Sequence, residues 1–488
     1  MKGKSIKVNA FFNIVYTVIN IIFPLIIYPY VNRILMAAGL GKVTFYASVS
    51  NYAIMFAGLG LATYGVREVA KVRENGKELS GIAAELLRIN MVATVVVVVI
   101  YTCFVLFSER LNKEQCLFWI NGILIITAPL GVDWLYSGLE RYSYITKRTV
   151  LFKAVSLVLV FLFVRQSDDY IVYAGILAFS NIASILCNYL YAKKLVGFSL
   201  QGEYRYKKHL KPMMVLFASA LAVSVYTNLD TVMLGFICDD REVGLYTVAV
   251  KVKTVLLAVV NAISTVLLPR LSCYYGQEKY GEYYKVLKKS VSVIFMLTIP
   301  LAMFFALEAY NCIFILGGED YLQAVSCMQI LMPVLVISGF SNVTGNQVLI
   351  PQGKDTLFMR AVMAGAFVDI VLNALFMRRF GCIGASVATL IAEMVQMGVQ
   401  LFYSYKEVVS GFQLKTFMHI GIASVISFFV VCELEFLCGF SVIAELFISA
   451  FIYFFCYSII MAVFGEENIL AVLEWLWIKI KHIFGGRL

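Results

Sequence analysis

The chain has 488 residues, of which 61% are hydrophobic and 14% charged, and its mean hydropathy is +0.85. A soluble domain is about 45–50% apolar and about 25% charged, so the composition excludes a soluble globular enzyme, a disordered protein and a nucleic-acid binder. The net charge of +10 instead fits a membrane protein whose Lys and Arg crowd the loops of one side.

A spanning helix needs ~20 mostly apolar residues, because the hydrocarbon core is ~30 Å thick and a helix rises ~1.5 Å per residue. Fourteen such runs follow one another, at 8–36, 43–70, 82–107, 115–138, 144–165, 170–192, 212–236, 243–269, 290–316, 321–350, 358–378, 383–405, 415–434 and 440–464. The first is expected to span rather than to act as a signal peptide. It is too long, it carries Pro24 and Pro29, and no small-residue cleavage site follows its apolar core. Residues 1–192 are read as an N-lobe of helices one to six, and 193–211 as a basic cytoplasmic linker. Residues 212–405 make a C-lobe of helices seven to twelve, and 406–465 add two more helices. In 466–488, Leu470, Leu473, Trp477, Ile480 and Phe484 recur at helical spacing. That predicts an amphipathic helix lying on the cytoplasmic leaflet. The expected fold class is an all-α polytopic membrane protein of about fourteen transmembrane helices, with two six-helix lobes around a central cavity plus two extra helices.

An even number of crossings puts both ends on one side. The loops of that side hold 26 Lys and Arg, the opposite loops 7, and the bias alternates along the whole chain. Both termini are therefore predicted to be cytoplasmic. A weak internal repeat supports two lobes. Tyr46 and Tyr246 each open an even-numbered helix of their half, and each such helix ends in an arginine motif, at Arg67 and Arg270. The 11 Cys show no CxxC spacing and are expected to be inert thiols, and 3 scattered His make no metal site.

A charge at the bilayer centre costs ~2.5–3.5 kcal/mol on insertion scales, so it faces a wet cavity, pairs or snorkels. Lys153, Lys251, Lys253, Asp369 and Glu393 fall near mid-membrane. Lys251 and Lys253 are two apart and point to nearly opposite helix faces, and Lys251 is favoured for the cavity. Asp369 and Asn373 share one face, and Gln396 and Gln400 extend a polar stripe from Glu393. A structural ion pair between a lysine and Asp369 or Glu393 is the bland alternative. Arg33, Arg67, Asp133 and Arg270 sit nearer the helix ends, where snorkelling competes with function, and Asn228 and Asp230 lie in the outer half of helix seven. Cations in a wet cavity suit a phosphate or diphosphate. No Walker A, HExxH or GxSxG motif occurs, so a transporter without catalytic chemistry is expected. No cofactor is expected beyond a coupling proton or sodium ion, for which Asp369 and Glu393 are the candidates.

The stretches "FPLIIYPYVNRIL", "GLGLATYGVREVA", "GVDWLYSGLERYSYITKRTVLFKAVSLVLVFLFV", "NLDTVMLGFICDDREVGLYTVAVKV" and "NQVLIPQGKDTLFMRAVMAGAFVDIVLNALFMRRFGCIGASVATLIAEMVQ" resemble, in order, polysaccharide flippases of the Wzx type. These belong to the MOP superfamily, with multidrug extruders and lipid II flippases. The resemblance implies alternating access between two lobes. It also implies an undecaprenyl-diphosphate-linked oligosaccharide as substrate, such as an O-antigen or capsule repeat unit, carried from the cytoplasmic to the outer leaflet of a bacterial cytoplasmic membrane. A polysaccharide polymerase is the implied protein partner. Arg33, Arg67, Lys251 and Arg270 match basic positions of the flippase pattern, and Asp133, Trp134, Gly138 and Glu140 match its "DW…G.E" block. Tyr28 and Tyr30 stand where lipid II flippases carry arginines in helix one, and Asp369 stands where the pattern often has Asn. A cation-coupled drug exporter would call for an acidic cavity, against Lys153, Lys251 and Lys253. A membrane glycosyltransferase or polymerase would call for a long catalytic loop that the chain lacks.

Overall fold

A computed structural model describes residues 6–198, 206–437, 441–466 and 468–470. Part of the expected linker and most of the expected amphipathic tail lie outside the described residues. Among those described, all regular structure is helical, with no strand. The helices are α1 (Ile6–Gly58), α2 (Leu61–Val72), α3 (Gly76–Phe107), α4 (Glu109–Asn112), α5 (Gln115–Thr127), α6 (Asp133–Gly138), α7 (Tyr142–Phe163), α8 (Tyr170–Val196) and α9 (Tyr206–Ile237). They continue with α10 (Asp240–Gly276), α11 (Tyr280–Leu307), α12 (Ala309–Gly317), α13 (Ala324–Leu331), α14 (Pro333–Asn342), a π-helical segment (Val343–Leu349), α15 (Asp355–Gly411), α16 (Leu414–Leu437) and α17 (Val442–Val463).

Among the described residues, eleven helical stretches are long and apolar enough to cross a membrane. At ~1.5 Å per residue the 53 residues of α1 would extend ~80 Å, far beyond one hydrocarbon core. The helix breaks at Met36 (φ 57, ψ 176). The 57 residues of α15 break likewise at Gly381 (φ 55, ψ −132). The Met36 break falls at the last residue of the first apolar run and the Gly381 break in the gap between the eleventh and twelfth, so each stretch supplies two crossings. Pro24 and Pro29 lie inside α1, and the backbone leaves helical geometry only at Met36. The fifth run is α7, whose Lys147, Arg148 and Lys153 make it less apolar than its neighbours. Every apolar run is thus carried by helix.

Several runs are not single helices. The second is interrupted at Leu59 and Gly60, both at positive φ. The fourth is α5, a 3-10 turn at Ala128–Leu130 and α6. Pro129 has no N–H to continue the ladder. The tenth is α13, α14 and the π segment, with Pro333 opening α14 at a position where its missing N–H costs nothing.

The chain forms two compact units, Met1–Thr247 and Val248–Leu488. In the first, Tyr64, Leu86, Trp134, Leu135 and Tyr136 anchor a core shared by α2, α3, α6 and α8. In the second, Tyr283, Leu287, Ile294, Val343, Ile420 and Tyr457 join α11, the π segment, α16 and α17. Outside these cores, Val92, Val95, Val96, Val99 and Phe107 of α3 and Phe447, Phe451 and Phe455 of α17 are exposed. Such apolar stripes suit a lipid solvent.

Candidate functional site

In the first unit, α7 carries two buried or half-buried cations. Lys153 donates to Asn20 Oδ1 of α1 at 2.5 Å and lies 5.0 Å from the Phe23 ring centroid. One amide and one aromatic face thus hold an ammonium group on the apolar length of α7. Nearer the start of α7, Arg148 is only 9% exposed. Its Nη2 donates to Asp133 Oδ1 at 3.1 Å, and Asn188 Nδ2 of α8 donates to the same oxygen at 2.7 Å. The stacked rings of Tyr136, Tyr144 and Tyr191 adjoin this cluster. Tyr136 and Tyr144 anchor to the backbone of Asn188 and Cys187, while Tyr191 accepts from Arg141.

The other expected residues of this unit have local partners. Arg33 is exposed and donates to Pro29 O at 2.5 Å. Arg67 is exposed, 3.5 Å from Glu68 and over the Tyr64 ring. Asp230 is buried and accepts from Tyr246 at 2.6 Å, joining α9 to α10, whereas Asn228 is exposed and bonds its neighbour Thr227. The structure therefore brings Asp230 to the repeat-position tyrosine Tyr246, a pairing that sequence spacing did not suggest.

Two ionisable clusters escaped the sequence reading. His209 of α9 is fully buried, with Nδ1 2.8 Å from Tyr64 of α2 and Nε2 2.8 Å from Glu85 of α3. Arg110 bonds Asp240 and donates from Nε to Gly235 O at 2.8 Å. His209 stood in the basic linker and Arg110 in an outer loop, and nothing in local sequence marks a long-range partner.

In the second unit, Lys251 and Lys253 of α10 are both half-buried, and Arg270 is exposed and bonded to Tyr274 at 3.1 Å. Asp369 and Asn373 are buried on the first half of α15, and Glu393 is buried on the second. The stripe from Glu393 enters a hydrogen-bonded seam. Gln396 Nε2 donates to Ser341 Oγ at 3.2 Å. Gln400 Oε1 accepts from Ser341 at 2.8 Å and from Thr344 at 2.7 Å. Gln347 donates to Ser264 of α10 at 2.9 Å, and its carbonyl accepts from Tyr283. The seam coincides with the π-helical segment, and such segments recur at functional positions. Among the described residues no group of three or more His, Cys, Asp or Glu could hold a metal ion.

Comparison with known proteins agrees with this architecture. Residues 6–274 match the family model described as polysaccharide biosynthesis protein, and residues 216–375 match the model described as MatE. The chain is 22% identical over 401 residues to the "Putative O-antigen transporter" of Escherichia coli (strain K12), covering 82% of this chain and 96% of that one. It is 24% identical over 384 residues to a protein of the same name in Shigella dysenteriae, covering 77% and 94%. The fold is similar to that of the lipid II flippase MurJ in an inward closed conformation, with a TM-score of 0.77, 15% identity and coverage of 94% and 100%. The chain belongs to the polysaccharide biosynthesis protein family, as a multi-pass transporter of the Wzx type within the MOP superfamily.

Proposed function

We propose that the chain flips an undecaprenyl-diphosphate-linked oligosaccharide from the cytoplasmic to the outer leaflet of a bacterial cytoplasmic membrane by alternating access, with both termini cytoplasmic. The observation that carries this reading is the match to the polysaccharide biosynthesis family over residues 6–274, in a chain whose apolar helices also carry the half-buried Lys153, Lys251 and Lys253. The E. coli and Shigella relatives are named as O-antigen transporters, which favours a glycan on a lipid carrier. Lys251 is assigned to the diphosphate, with Lys153, Lys253, Arg33, Arg67 and Arg270 as supporting cations on its route. A fixed ammonium in low dielectric attracts a diphosphate far more strongly than one in water. A proton or sodium gradient drives the cycle through Asp369 or Glu393, and a polysaccharide polymerase receives the product.

The MatE match over 216–375 favours one competing reading, a cation-coupled drug exporter. A strain carrying Lys251→Ala at normal expression decides between them. Loss of surface polymer with unchanged drug tolerance is expected. Normal polymer with increased drug sensitivity would reverse the assignment.

A further inference from the structure

The second half of α15 carries a polar stripe longer than sequence reading credited. Ser386, Thr389, Glu393, Gln396, Gln400, Ser404 and Glu407 fall within a sector of about 80° at ~100° per residue. The first six are all buried. The two halves of this stripe differ in chemistry. Ser386 and Thr389 donate to backbone carbonyls four residues before them, as Ser404 does in the other half, and the half before Glu393 carries no long amide. Toward Glu407 the long amides project into the seam with Ser341, Thr344, Gln347 and Ser264. There Gln396 Oε1, Gln400 Nε2 and Gln347 Oε1 are buried without a hydrogen-bond partner. A buried polar atom left so costs ~1–3 kcal/mol, and water making about three hydrogen bonds relieves it. At the far end, Gln352 donates to Glu407 at 3.0 Å and Lys354 lies 4.0 Å from it.

We propose that this half of the stripe is a hydrated proton-access path, about 21 Å long at ~1.5 Å per residue, connecting Glu393 to the cytoplasmic end at Glu407. The inference rests on the reading of the chain as an ion-coupled flippase with cytoplasmic termini. The hydroxyls of Ser341 and Thr344 and the waters held by the amides pass the proton, and the amides themselves only position those waters. Glu393 takes it up as a neutral carboxyl. The π segment opens the seam, because its wider turn sets Thr344 and Gln347 beside the stripe.

Neither α14 nor the π segment carries an ionisable side chain. Of the other elements packed against α15, α13 brings Cys327, and α11 brings Tyr280, Glu282, Tyr283 and Tyr284 and then Lys285, Lys288 and Lys289. From Lys251 onward the helix that supplies Ser264 carries Lys251, Lys253, Arg270, Cys273, Tyr274 and Tyr275, and the first half of α15 carries Asp355, Arg360, Asp369, Arg378 and Arg379.

Hydrogen–deuterium exchange of the Glu393 carboxyl, followed by infrared difference spectroscopy on the full chain in lipid nanodiscs, tests the path. E393Q assigns the band by removing it. Exchange in the Q396L/Q400L variant is expected to slow by at least about tenfold, the rate change given by ~1.4 kcal/mol of added barrier. The S386A/T389V variant, on the outward half, is expected to exchange like the parent. S341A/T344A repeats the test if the double leucine variant does not fold. Equal exchange in the inward-half variants, slowing confined to S386A/T389V, or no band lost in E393Q would each overturn the proposal. The measurement needs no glycolipid. A chain that exchanges as described but fails to flip would therefore keep the path and lose the flippase reading, and the converse result would do the opposite.

Discussion

Arg148 shows how one residue's environment fixes its role. Its side chain is 8% exposed, its Nε and Nη1 have no hydrogen-bond partner, and its charge is answered by Asp133. Removing one partner of a buried ion pair leaves a charge in low dielectric and costs ~3–5 kcal/mol. Because the Asp133 side chain is 51% exposed, solvent screens part of that, and Asp133→Ala is expected to lose about 2–3 kcal/mol. Chemical denaturation in detergent would measure it, and Asp133→Leu with Arg148→Met should recover most of the loss. Asp133 was legible as a candidate because it is a carboxylate near the end of an apolar run. Arg148 was not, since it reads as one more loop cation beside Lys147. Neither the pairing across fifteen positions nor the Asn188 bond leaves a periodic signal.

Helix contacts in the first unit depend on the absence of a few atoms. A Cβ on Gly244 would lie 1.9 Å from the Ala37 carbonyl oxygen, and one on Gly41 would lie 1.7 Å from the Asp240 carbonyl oxygen. Both obstacles are backbone, so the start of α10 and the second half of α1 would have to separate. Gly244→Ala is therefore expected to destabilise by about 1–3 kcal/mol. Gly398, with nothing within 4 Å of an added Cβ, is the control: Gly398→Ala should be neutral or stabilising by up to ~1 kcal/mol. Thermal unfolding of both variants in one detergent checks the contrast. At this scale the existence of each helix was legible, because hydropathy and run length report burial in lipid. Breaks within runs were less so. Hydropathy says nothing of backbone direction, although Pro129, Pro333 and Gly60 were available as punctuation. The Glu393, Gln396 and Gln400 stripe was read from spacing, whereas its partners Ser341 and Thr344 came only with the fold.

For the whole molecule, the excess of Lys and Arg in alternate loops and the few cations at depth answer different questions. The first sets the proposed orientation. The second underlies the proposed assignment of Lys251 to the substrate, since a lysine on an apolar helix is costly unless it pairs, snorkels or faces a wet cavity. Family and fold were legible in ordered blocks along the chain, and the match over residues 6–274 agrees with them. The sugar leaves no such mark, because 14% aromatic residues serve packing as readily as stacking. The most direct measurement uses purified protein in vesicles containing a fluorescent undecaprenyl-diphosphate-linked oligosaccharide and a membrane-impermeant quencher. The label should cross between leaflets at a rate that rises with protein content and falls toward the protein-free rate in Lys251→Ala. Crossing no faster with the parent protein than in empty vesicles, with an ion gradient imposed, would contradict the flippase reading.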